Sequence, residues 1–264
     1  MDTTVLPGPE GIAKLALVIE YDGSNYHGFQ FQPAVPTVQG ELEEAIFKTT
    51  RERIRVLAAS RTDAGAHARG QVASFRTKSK LTPETMVRAL NYYLPEDIVV
   101  KRAYKIDLEF NVQRNAVSRE YHYYMLDSEE GSALWRKYAY VVPQRLDVRA
   151  MEQACTSLVG CHDFMGFTSD LGSQASSTVR TVYHASFYQD SPFIIFKIIG
   201  SSFLPHQIRH IVGSLVTVGK GKANTDYIKN ILEAGKRGII KNSAPANGLY
   251  LMQVKYNDYL ENYS

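Results

Sequence analysis

Residues 15–21 are apolar at every position but Glu20, and turn formers follow at once in Asp22 and Gly23. A short apolar run bounded this way predicts a buried strand. From Val38 the pattern changes: Val38, Leu42, Ala45 and Ile46 recur at helical spacing, and Thr37 stands where a helix takes its cap. Residues 53–59 and 71–77 read as strands. Thr82-Pro83-Glu84 opens a second helix, with proline in the first helical position and Met86, Leu90 and Tyr93 behind it. A strand over 97–104 follows, giving the order βαββαβ.

The remainder repeats that order. A strand is expected over 119–126 and a helix over 146–159. Residues 178–188 and 193–199 form a hairpin turning at Gln189-Asp190-Ser191-Pro192. Helices over 204–218 and 227–234 precede a final strand over 249–256. The expected fold is therefore α+β, with two ferredoxin-like (βαββαβ) halves. Each would be an antiparallel sheet with helices on one face and the other face free for a ligand. The polar stretch 107–118 suggests an N-terminal domain over 1–110 and a C-terminal domain over 111–264.

Composition changes this picture little. The chain has 264 residues, enough for one large domain or two small ones. Its net charge of +3 is a weak basic bias, compatible with a polyanionic partner. The two cysteines, Cys155 and Cys161, make neither a metal spacing nor a disulfide framework, so a cytoplasmic protein is expected. No run reaches the roughly 18 apolar residues of a membrane span, and no membrane partner is expected. His206 and His210 sit four apart on the helix expected over 204–218, a spacing that can hold zinc. No further ligand falls in register, and no metal is expected. On the same helix His206, Arg209, His210 and Gly213 form a stripe away from the apolar Ile208, Ile211, Val212 and Leu215.

The segment with candidate chemistry is Ser60-Arg61-Thr62-Asp63-Ala64-Gly65-Ala66-His67, in a loop between two strands. Loops on a rigid sheet commonly carry catalytic groups. Small neighbours leave Asp63 open to a bulky substrate. Asp-Ala-Gly is also an ordinary turn sequence, and spacing alone favours that turn over a catalytic loop.

That segment resembles the Gly-Arg-Thr-Asp-Ala-Gly-Val-His signature of the TruA-type tRNA pseudouridine synthases. Further stretches resemble the same family in the same order. They include Tyr21-Asp22-Gly23 with Gly28-Phe29-Gln30, Leu94-Pro95-Glu96-Asp97-Ile98, Arg119-Glu120-Tyr121-His122-Tyr123, Thr178-Val179-Arg180-Thr181-Val182, Arg209-His210-Ile211-Val212-Gly213 and Gly248-Leu249-Tyr250-Leu251. The resemblance runs from about residue 15 to 256 and implies an isomerase that turns uridine into pseudouridine in tRNA. The substrate implied is the anticodon stem-loop, at positions 38, 39 and 40, gripped in a central RNA-binding cleft by a homodimer that needs no cofactor. It also implies roles. Asp63 is the catalytic aspartate, and Arg61 intrudes into the RNA as the base leaves. Tyr121 stacks on the base, Arg209 pairs with the aspartate, and Leu249 lines the base pocket. Attack on C1′ of the sugar and attack on C6 of the base both remain open. One departure stands out: Gln113 occupies a family arginine's position, and Arg114, one step along a strand, would point the other way.

Overall fold

In the computed structural model, residues 11–168, 177–238, 240 and 242–257 are described here. The chain is an α+β protein that divides into two compact units. One runs to Val117 and takes back the segment beginning at Leu251; the other is Ser118–Tyr250.

The first unit contains β1 (Ala13–Tyr21), α1 (Val38–Thr50), β2 (Leu57–Ala58), β3 (His67–Thr77), α2 (Pro83–Tyr93), β4 (Ile98–Ile106) and most of β10 (Leu249–Tyr256). Its strand order is β4-β1-β3-β10, with β2 also on β3. Strand β1 runs antiparallel to β3, with Leu17 opposite Ala73 and Ile19 opposite Gln71, and a bulge falls between Ile19 and Tyr21. Both helices start where the sequence places them. The Thr37 hydroxyl accepts from the Gly40 N–H and the Thr82 hydroxyl from the Thr85 N–H, each satisfying a donor that the helix leaves open. The apolar stripes bury Val38, Leu42 and Ile46 from α1 and Met86 and Leu90 from α2. The strand expected over 53–59 shrinks to two residues. Arg53 and Arg55 instead stack on the Phe47 and Phe31 rings and pair with Glu44 and Glu43, drawing the chain toward the helix.

The second unit holds most of β5 (Ala116–Asp127), then β6 (Tyr140–Val142), α3 (Val148–Cys155), β7 (Gly160–Asp163), β8 (Val179–Asp190), β9 (Phe193–Gly200), α4 (Gln207–Gly219), α5 (Tyr227–Ala234) and the first residues of β10. Its strand order is β5-β9-β8-β7. These pairings are antiparallel, whereas β6 lies parallel to β5, so the β-structure is mixed. Strands β6 and β7 were not expected; each is too short to show alternation. Tyr123, Met125, Phe196 and Ile198 build the core with Met151, Ile211, Val212 and Leu215 from the helices. Close helix packing requires Gly219, where a Cβ would come within 2.5 Å of the Met151 sulfur.

Candidate active-site loop and its supports

The loop joining β2 to β3 is pinned residue by residue, and each pin lies within the first unit. At its start the side-chain amide of Gln71, with no exposed surface, stands in for a neighbouring strand. Its Nε2 donates to the Ser60 carbonyl at 2.7 Å, and its Oε1 accepts from the Ser60 N–H at 3.3 Å. Next, the Thr62 hydroxyl is buried against the Tyr21 hydroxyl at 2.7 Å. The Thr62 carbonyl accepts from the Phe29 N–H at 3.2 Å. Thr62 is thus held inward, while Arg61 before it is exposed and Asp63 after it is half-buried.

The far side of the loop is closed by the segment 22–29. The Tyr26 carbonyl accepts from the Gly65 N–H at 3.2 Å, and the Asp63 carbonyl from the Ala66 N–H at 3.1 Å. Gly65 turns the chain at φ +80°. Tyr26 is itself held: its hydroxyl donates to Asp97 Oδ1, while Asn25 Nδ2 donates to Oδ2 of the same carboxylate at 3.1 Å. Burial, and then the Asp97 carboxylate, push the Tyr26 phenol well above its usual range, so it remains a donor. At the end of the loop the buried His67 accepts on Nδ1 from the Gly23 N–H at 3.1 Å, with Asp22 Oδ1 at 3.2 Å. Two glycines allow this approach. A Cβ on Gly23 would fall 1.9 Å from the Ala66 carbonyl oxygen, and one on Gly28 would fall 2.7 Å from that of Thr62.

Three expected site residues lie in the second unit. Tyr121, on β5, is 5% exposed, and Phe203 packs edge-on against its ring at 5.4 Å. Arg209 is in the first turns of α4. Its Nε donates to the Ala244 carbonyl at 2.7 Å, and its own carbonyl accepts from the Ala244 N–H at 3.0 Å. Its Nη1 lies 3.2 Å from His206 Nδ1, which acts as the acceptor. His206 is not a helical residue; at φ +59° it is the left-handed residue ahead of α4. His210 Nδ1 instead reaches the Phe167 carbonyl at 2.9 Å. Among the described residues no three His, Cys, Asp or Glu side chains gather as a metal would need, and no helix is long and apolar enough to cross a membrane. Leu249 begins β10 and is 6% exposed. Beside it Gly248 passes close to Tyr123, whose hydroxyl donates to the Pro245 carbonyl at 2.6 Å.

The segment around Gln113, within the polar stretch expected between strands, is a turn. Asn111 Oδ1 accepts from the N–H groups of both Gln113 and Arg114, so strand alternation does not govern where Arg114 points. Sequence reasoning also passed over the supporting residues Tyr26, Asp97, His67 and Gln71. His67 and Asp97 stood inside the quoted motifs and Tyr26 between two pieces of one, whereas Gln71 only opened the strand expected over 71–77.

The sequence profile of the family described as tRNA pseudouridine synthase matches residues 17–113 and 154–257. Asp63, Arg61, Arg209 and Leu249 fall inside those segments, and Tyr121 falls between them. Over 240 residues the chain is 42% identical to tRNA pseudouridine synthase A of Acetivibrio thermocellus, covering 91% of this chain and 98% of that protein. It is also 42% identical over 246 residues to the protein of that name from Roseiflexus castenholzii, covering 92% and 90%. The Thermotoga petrophila protein, again of that name, is 38% identical over 245 residues, covering 92% and 99%.

Proposed function

We propose that this chain, which belongs to the tRNA pseudouridine synthase family and is an isomerase of that kind, acts on uridines 38, 39 and 40 of the tRNA anticodon stem-loop with Asp63 as its nucleophile. The observation that carries the assignment is the clamping of residues 60–66. Gln71, Tyr26 and the Phe29 N–H fix the backbone on both sides of Asp63, Tyr21 holds the Thr62 side chain, and Asp63 as a residue is half-buried. Preorganisation of this kind is what a nucleophile needs, because misplacement by about 1 Å can cost on the order of 100-fold in rate.

In this reading the nucleotide is turned out of the helix, at a cost of a few kcal/mol. Exposed Arg61 offers a cation to the gap it leaves. The Asp63 carboxylate attacks C1′, and the N-glycosidic bond breaks with its electrons on the base. A glycosyl ester then links sugar and enzyme, as in retaining glycosidases. The base turns in place, and C5 attacks C1′ and expels the carboxylate. The C5 proton is then lost, and N1 gains one. Attack on C6 is the second route, and it uses the same carboxylate. Tyr121, its ring orientation set by Phe203, serves the base, and Leu249 contributes apolar surface to it. Arg209 serves as a substrate-binding cation, its guanidinium fixed by Ala244 and His206.

The same reading takes each unit as a ferredoxin-like βαββαβ half. The order β1-α1-β2-β3-α2-β4 supports this in the first unit. In the second, the order fits with β6, β7 and α5 as additions. It also takes the protein to be a cytoplasmic homodimer that works without a cofactor.

Asp63→Asn keeps shape and removes charge. With tRNA carrying tritium at C5 of uridine, this variant should bind tRNA and release at least about 1,000-fold less tritium than the parent. Release at the parental rate would remove Asp63 from the mechanism. Primer extension after carbodiimide treatment should place the product at positions 38, 39 and 40; stops elsewhere would reassign the substrate site.

A further inference from the structure

The residues that follow Asp63 cannot brace themselves. Ala64, Gly65 and Ala66 have no side chain long enough to reach a neighbour, so whatever rigidity they have comes from outside. It comes from the segment 22–26. The Tyr26 carbonyl accepts from the Gly65 N–H at 3.2 Å, and the Gly23 N–H donates to His67 Nδ1 at 3.1 Å. The Gly23 backbone also lies against the Ala66 carbonyl, and the Ala66 N–H closes back onto the Asp63 carbonyl at 3.1 Å.

Three donors of that segment converge on one residue, Asp97. Its carbonyl accepts from the Asp22 N–H at 2.9 Å. Its Oδ1 accepts from the hydroxyl of the buried Tyr26, and its Oδ2 from Asn25 Nδ2 at 3.1 Å. A carboxylate acceptor makes such a bond roughly twice as strong as a neutral one would. Asp97 is fixed from behind as well. It closes the turn from α2 into β4, where the Leu94 N–H donates to the Leu90 carbonyl at 2.9 Å and the Ile98 N–H to the Pro95 carbonyl at 3.0 Å. Asn91 of α2 then bonds both the N–H and the carbonyl of Val100 in β4, at 2.8 and 2.9 Å. A continuous line of contacts thus runs from α2 through Asp97, Tyr26 and Gly65 to the backbone beside Asp63.

We infer that Asp97 is a positioning residue for the Asp63 nucleophile: it sets the segment 22–26, which sets the backbone of residues 65–66 and so the direction of the carboxylate. The inference rests on Asp63 being the nucleophile, as proposed above. No contact with RNA and no proton transfer is asked of Asp97. Its effect belongs in kcat, not in tRNA affinity.

The test compares the parent with Asp97→Ala, Asp97→Asn and Tyr26→Phe by tritium release, well below the melting temperature of each. Asp97→Ala should lower kcat about 10- to 100-fold and leave KM within about twofold. Tyr26→Phe, which removes one hydroxyl, should move kcat the same way and spare KM. Asp97→Asn should bring kcat back to within about threefold of the parent, because its Oδ1 still accepts from Tyr26 and the Asn25 amide can turn over to accept from the new Nδ2. A parental kcat in Asp97→Ala overturns the inference even if its melting temperature falls, since a purely structural role predicts that result. An Asp97→Asn variant no better than Asp97→Ala overturns it too. If Asp97→Ala does not fold, Tyr26→Phe decides, and a parental kcat there overturns the inference. Hydrogen exchange read by mass spectrometry, on protein without tRNA, is independent of activity. Amides of residues 64–67 should exchange at least about tenfold faster in Asp97→Ala or Tyr26→Phe, while those of β3 from Val72 onward hold. Unchanged exchange overturns the inference. Failure of the parent to isomerise tRNA uridine, or a parental rate in Asp63→Asn, would instead remove the functional reading and leave the exchange result standing, so the two failures are distinguishable.

Discussion

Replacing Gly28 by alanine tests whether the backbone of the segment 22–29 sets the position of Asp63. Gly28 has φ +89°, and a Cβ there would stand 2.7 Å from the Thr62 carbonyl oxygen and 3.3 Å from the Ala64 nitrogen and the Asp63 carbonyl carbon. Two costs follow. Holding an L-residue at positive φ costs about 1–2 kcal/mol, and overpacking against backbone costs about 1–3 kcal/mol more. To reach ordinary contact, the Thr62 carbonyl must retreat from 2.7 Å to 3.4 Å. That carbonyl accepts the Phe29 N–H and belongs to the residue before Asp63, so the carboxylate moves with it. A displacement on this scale is expected to lower kcat roughly 10- to 100-fold. The melting temperature should fall on the order of 10 °C, at about 2–4 °C per kcal/mol for a chain of this size. Tritium release gives kcat and KM, and thermal unfolding gives stability. Gly221→Ala is the control: its φ is +68° with no atom within 4 Å of the added carbon, so it carries the backbone strain alone and should leave kcat unchanged. If Gly28→Ala turned over at the parental kcat, the clamp would have no bearing on catalysis.

Two other outcomes are expected. Lys197 and His122 together outweigh burial at Glu120 and hold its carboxyl below the usual value of 4.5. A depressed folded pKa contributes stability above the unfolded pKa and loses it as pH falls through the folded one. Urea midpoints should therefore drop below about pH 4.5 more steeply for the parent than for Glu120→Gln, and parallel curves would contradict this. Burial, and secondarily Glu152, push the Cys155 thiol up to about 12, whereas Cys161 is exposed. Ellman's reagent at pH 8 should titrate one thiol quickly and the second only after unfolding; two fast thiols would show Cys155 to be accessible.

What the sequence revealed of the fold follows from where its signals are local. The starts of α1 and α2 were legible because Thr37 and Thr82 satisfy donors three residues away. The hairpin of β8 and β9 was legible from the turn between them, and α5 from its own apolar spacing. Strands β6 and β7 were not, because they exist only as additions to β5 and β8 and have too few residues for a period. Residues 53–55 read as a strand because nothing local predicts that Arg53 and Arg55 will stack on Phe47 and Phe31. His206 continued a helical stripe in the sequence, yet its left-handed backbone ends that stripe at Arg209. In the candidate site the loop around Asp63 was visible as a motif. Its supports, from Tyr21 and Tyr26 to Asp97, are brought to it by pairings across tens of residues that no local pattern records.

The last strand has a consequence for how the chain is made. Gly70 of β3 lets the Met252 backbone pass so close that a Cβ would sit 2.4 Å from its carbonyl oxygen, and the Tyr256 hydroxyl reaches the Val112 carbonyl across 144 positions of sequence. The early half of the polypeptide thus leaves the ribosome one strand short, with β3 still lacking a neighbour along part of its length. At translation speeds of about 5–20 residues per second that vacancy lasts on the order of ten seconds. Throughout that interval the edge that should receive β10 is open to any other extended segment, which makes the timing of synthesis, as well as the final energy, a determinant of correct assembly.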